Sequence, residues 1–100
     1  PLVLDALNEG AAGWCTAAPN LRPQPCLELY RAVRDGDRAA AQQIYDALAP
    51  LLRFIVAGGL PTTVKAGLQL LGFDAGDPRA PLLPLDEAGR AELTAILAEV

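Results

Sequence analysis

Histidine and methionine are both missing from this sequence of 100 residues. With no imidazole to offer, it is not expected to hold zinc or another imidazole-bound metal. The two cysteines, Cys15 and Cys26, are too few for a disulfide framework, and reduced thiols in a cytoplasm fit them best. Aromatic residues make up only 5% of the chain, and its 8 basic residues are outnumbered by 12 acidic ones without clustering. That leaves neither a phosphate-neutralising face nor a base-stacking platform, so nucleic acid is not an expected partner. No apolar run reaches the roughly 18 residues that span a bilayer, and the longest candidate, residues 51–60, is interrupted by Arg53 and the Gly58-Gly59 pair. Membrane insertion is therefore not expected either. The first residue is Pro1 and no basic, apolar and cleavage-site sequence of a secretory leader follows it. The expectation is that the chain is part of a longer polypeptide.

Apolar side chains are abundant, at 52% of the total, enough for one small core. Leu2, Val3, Ala6 and Leu7 suggest a short amphipathic helix stopped at Gly10. The period then changes. Over residues 13–18 an alternation of two would set Cys15 and Ala17 on one face and Trp14 and Thr16 on the other, as in a strand. Pro19, Pro23 and Pro25 argue against regular helix before about Cys26. Cys26, Leu29, Tyr30 and Val33 then form one helical stripe, ended by Gly36, after which Asp37 is placed to cap the next helix. That helix carries Ile44, Leu48, Leu51, Leu52 and Ile55 past Pro50, an interruption worth ~3 kcal/mol if nothing relieves it. Val64, Leu68 and Leu71 mark a further helix between Pro61 and Gly72. A connector with Pro78, Pro81 and Pro84 leads to a last helix, capped by Asp86, with Leu93, Ile96, Leu97 and Val100 at core spacing. One strand among five helices has no partner, and an unpaired strand cannot satisfy its own backbone.

Four strings resolve the difficulty: "GAAGWCTAAPN", "CLELYRAVRDGDRAAAQQIYDALAPL", "GLPTTVKAGLQLLG" and "RAPLLPLDEAGRAEL". In this order and spacing they resemble the C-terminal part of the dihydrodipicolinate synthase and N-acetylneuraminate lyase family, over essentially the whole chain. The resemblance implies an α/β fold: the end of a (β/α)8 barrel plus a C-terminal helical extension, mostly helical when taken alone. Residues 1–36 would be the end of the barrel, comprising helix seven, strand eight and helix eight, and residues 37–100 the helical domain. It also implies Schiff-base chemistry, in which a lysine condenses with pyruvate or another 2-keto acid. That lysine and its assisting tyrosine and threonines belong to earlier strands, so no catalytic residue is expected in this segment, and neither is a cofactor. The small-molecule keto acid would be the partner, and a homo-oligomer, commonly a tetramer in the family, the assembly.

Individual residues are read against that template. Lys65 is the only lysine, but it matches the family's "P-x-x-V-K" string at a helix start, which assigns it a structural or surface role. Cys15 has no histidine to activate it and reads as packing; the resemblance places it in the wall of the keto-acid pocket. Ala17 would share that wall nearer the barrel mouth, where an alanine removes a hydroxyl and weighs against a sialic-acid-type substrate. Trp14, on the other face, reads as packing or as a stacking platform for ligand. Gly58 and Gly59 stand open between a helix break and a pocket-side loop. Asp74, Asp77, Asp86 and Glu87 read as caps and solvated carboxylates. The rival to an enzyme segment is an independent helical interaction or oligomerisation module, and a third reading is a barrel relative that has lost the lysine and binds or regulates instead.

Overall fold

The computed structural model describes all residues from Pro1 to Val100. Five helices make up the chain: α1 (Val3–Asn8), α2 (Pro23–Arg34), α3 (Arg38–Gly58), α4 (Leu60–Leu70) and α5 (Glu87–Glu99), with a 3-10 turn at Ala18–Asn20. The longest, α3, lies against α2, α4 and α5 and so forms the spine.

Local signals account for most boundaries. Asp37 accepts from the Ala40 amide at 3.1 Å and Asp86 from Gly89 at 2.7 Å, each satisfying a donor that a helix start leaves free. Gly36 and Gly72 take positive φ of 76° and 95° just past the ends of α2 and α4, a backbone region costly for side chains with a Cβ. Pro50 sits inside α3 without ending it. Leu48, Ala49, Leu51 and Leu52 on either side are all buried, so packing holds the helix through the missing hydrogen bond.

The expected core faces are largely the observed ones. Leu29, Leu48, Leu51 and Leu93 are fully buried in one cluster of 17 residues drawn from α1 to α5. Each such leucine stabilises the fold by roughly 1.5–3 kcal/mol. Three expectations change. In α1 the inward residues are Val3, Leu4 and Leu7, whereas Leu2, which precedes the helix, and Ala6 are exposed, because the buried face is centred on Leu4 and Leu7. Helix α2 begins at Pro23 instead of Cys26: its first-turn amides need no intrahelical acceptor, so Pro23 and Pro25 are tolerated there. Leu71 falls outside α4 and is exposed.

The segment expected as a strand is the informative difference. Residues 13–16 are non-helical and pair with nothing, and Ala17 already leads into the 3-10 turn. A ladder needs a second strand, and every other element of the chain is a helix.

Candidate functional site

Four fixings hold the segment in place. Tyr30 donates its hydroxyl to the Ala12 carbonyl at 3.2 Å, and the Asn20 amide donates to the Ala17 carbonyl at 3.0 Å. Thr16 Oγ1 accepts from the Ala18 amide at 3.4 Å. Arg22 reaches furthest: its Nη2 donates to the Leu97 carbonyl at 2.7 Å and its Nε to the Val100 carbonyl at 3.3 Å. Those carbonyls lie at the C-terminal end of α5, which lacks intrahelical donors and carries partial negative charge, so a guanidinium is well suited to them. Arg22→Gln is expected to lower stability by about 1–2 kcal/mol, read as a fall in the urea midpoint without a change in slope; a midpoint equal to wild type would deny the clamp.

Between this segment and α3 lies a hollow of ≈230 Å³. Cys15 and Ala17 both line it, facing Leu52, Ile55, Val56 and Leu60. Cys15 and Ala17 do share one hollow, as an alternation of two would require. Trp14 and Thr16 also reach this hollow, so the two faces are not separated as in a strand. Trp14 is half-buried against the core, the packing role of the two considered. Gly58 lines a different cleft, beside α5, and Gly59 lines neither. The two glycines are the junction of α3 and α4, where Gly59 turns the chain with φ of 85°. In their place Val56 and Leu60, 67% and 54% exposed, face Cys15. Sequence reading missed them because both fall off the apolar stripes, and it missed Arg22 because its partners are 75 and 78 residues away.

Lys65 donates from Nζ to the Ala75 carbonyl at 3.0 Å, tying the connector to α4, remote from the Cys15 hollow. Asp74 accepts from the Gly76 amide at 2.9 Å, and Asp86 caps α5 as described.

The two thiols differ. Cys15 is exposed and Cys26 buried, and burial pushes the Cys26 thiol up to about 11 from 9.0 by desolvating the thiolate. Iodoacetamide at pH 8 should therefore label Cys15 well ahead of Cys26; equal rates would contradict the burial. The native state disfavours the Cys26 thiolate, so its contribution to stability is complete below pH 9 and lost as pH rises from 9 towards 11. Unfolding midpoints should accordingly fall more steeply over that range in wild type than in Cys26→Ala.

An extended segment is thus pinned to a set of helices, with an apolar hollow between them. The chain belongs to the dihydrodipicolinate synthetase family, whose profile matches residues 1–100. Its fold is correspondingly that of the mostly helical C-terminal part of a (β/α)8 barrel protein. It is 39% identical over 108 residues to an uncharacterised DapA-like lyase of Pyrobaculum arsenaticum, covering 99% of this chain and 36% of that protein. To the 4-hydroxy-tetrahydrodipicolinate synthase of Methanoculleus marisnigri it is 40% identical over 96 residues, 96% of this chain and 33% of the relative. A solved structure from Pseudomonas aeruginosa, provisionally assigned as a dihydrodipicolinate synthetase, superposes with a TM-score of 0.97 at 49% identity, over 99% of this chain and 34% of that one. The chain thus spans about a third of the length of the relatives it matches.

Proposed function

We propose that this chain is the C-terminal segment of a Schiff-base lyase, aldolase or dehydratase acting on pyruvate or another 2-keto acid. The observation that carries the reading is the family match along all 100 residues against a third of each relative's length. Residues 1–36 close the barrel and residues 37–100 form the helical extension. Cys15 and Ala17, with Val56 and Leu60 opposite, form one wall of the keto-acid pocket, and the lack of charged side chains there suits an apolar substrate portion. Gly58 and Gly59 support that wall by setting where α4 begins. The nucleophilic lysine lies outside this chain: its amine adds to the keto carbon, water leaves, and the iminium draws electrons from the neighbouring carbon so that a bond there forms or breaks. The same reading makes the parent protein a cytoplasmic homotetramer without a cofactor.

Borohydride reduction in the presence of pyruvate tests the assignment. The parent protein should gain one covalent pyruvate-derived adduct by mass spectrometry and this 100-residue chain none; an adduct on Lys65 would overturn the reading. One observation favours the helical module as a second reading, namely that the chain buries a contiguous core of its own. A monomeric, sharply dispersed NMR spectrum of the isolated chain would strengthen it, and a molten or aggregated chain would remove it.

A further inference from the structure

The largest hollow in the molecule is not the one beside Cys15. It is an open cleft of ≈550 Å³ between α3 and α5, formed by Arg53, Phe54, Ala57 and Gly58 on one side and Glu92 and Ile96 on the other. Two independent observations mark it out. First, Arg53 and Glu92 bring opposite charges to the two walls of an apolar floor, yet the only ion pair of the chain is Arg34 with Asp35. Neither charge is neutralised by a partner of its own, so both remain available to a ligand. Second, Gly58 brings no side chain to the cleft, and near its α-carbon lies Thr63 Oγ1, the one buried side-chain polar atom without a hydrogen-bond partner. A Cβ on Gly58 would come to 2.7 Å of that oxygen. A buried hydroxyl left unsatisfied is costly, and this one lies beside a glycine that lines the cleft.

We propose that this cleft binds a free aliphatic α-amino acid. Its carboxylate would sit against the Arg53 guanidinium, whose planar fork suits that group. Its ammonium would face Glu92, and its hydrocarbon side chain would lie on Phe54, Ala57 and Ile96. A simple anion would leave Glu92 as a repulsive neighbour, and a simple amine would leave Arg53 as one; only a molecule bearing both charges on a short frame suits both walls. The site stands apart from the keto-acid wall and does not depend on the chemistry proposed there.

The test is calorimetric titration of the parent protein, and of this chain if it proves folded, with L-leucine, 4-methylpentanoate and 3-methylbutylamine. The last two each keep the hydrocarbon and one of the charges. Leucine should bind saturably, with about tenfold weaker affinity for either single-charge analogue. Arg53→Gln should remove the preference for leucine over the amine, and Glu92→Gln the preference over the carboxylate. Both substitutions are at exposed positions, so circular dichroism should show unchanged folding. Absence of leucine binding overturns the proposal, as does binding that both variants leave unaltered. Because the readout is heat and not turnover, a parent protein that fails to trap pyruvate leaves the result intact.

Discussion

Leu51→Ala is expected to cost this chain about 4 kcal/mol of unfolding free energy, at the upper part of the range for a buried leucine. Leu51 is fully buried at the centre of α3 and directly follows Pro50. The substitution therefore removes core contacts and, in the same step, part of the packing that keeps α3 continuous where the backbone hydrogen bond is missing. Deleting a comparable group at Val56, which is largely exposed, should change stability by no more than about 0.5 kcal/mol. Urea unfolding of both variants by circular dichroism provides the comparison. A loss below about 1 kcal/mol for Leu51→Ala would mean that α3 is held through Pro50 by something other than its core face.

Gly67→Val should be nearly as damaging, at about 3 kcal/mol. Gly67 lies within α4, where glycine is ordinarily a weakness worth about 1 kcal/mol relative to alanine. Here the missing side chain is required by its neighbour: a Cβ would meet both methyl carbons of Leu21 at 2.7 Å and its Cγ at 3.3 Å. Leu21 is itself buried, so its methyl groups can give way only by disturbing the core around them. If that contact is the cause, Leu21→Ala combined with Gly67→Val should be far less destabilised than the sum of the single changes. Simple additivity would place the cause in helix propensity instead. The same pair shows why a glycine in a helical pattern carried so little information beforehand: the residue that demands it stands 46 positions earlier in the chain, and nothing local announces the demand.

That contrast runs through the whole molecule. The stripe from Cys26 to Val33, the caps at Asp37 and Asp86 and the stops at Gly36 and Gly72 were all legible, since each depends on neighbours within one or two turns. Helix α2 began earlier than its prolines suggested, because a proline's effect depends on which turn it occupies, and the turn is fixed only once Leu21 and Arg22 have docked. The segment from Gly13 to Ala18 had strand alternation but lacked a strand to pair with, and periodicity by itself makes no hydrogen bonds. In the hollow, a spacing of two placed Cys15 and Ala17 together but did not foresee that Trp14 and Thr16 would reach the same space. Val56 and Leu60 were not legible, because the surface they face is created by tertiary packing. Family resemblance supplied what periodicity could not, namely why an unpaired extended segment should be present at all.

Arg22 ties the entrance of α2 to the last turn of α5, closing the chain into a loop of more than 70 residues by hydrogen bonds alone. Such a closure makes the entrance of α2 and the last turn of α5 one mechanical unit. Loss of residues 97–100 would strip Arg22 of both distant acceptors, and the first region to loosen would be the extended segment beside Cys15. Damage at the tail would therefore be felt at the wall of the hollow, with α3 and its core still in place.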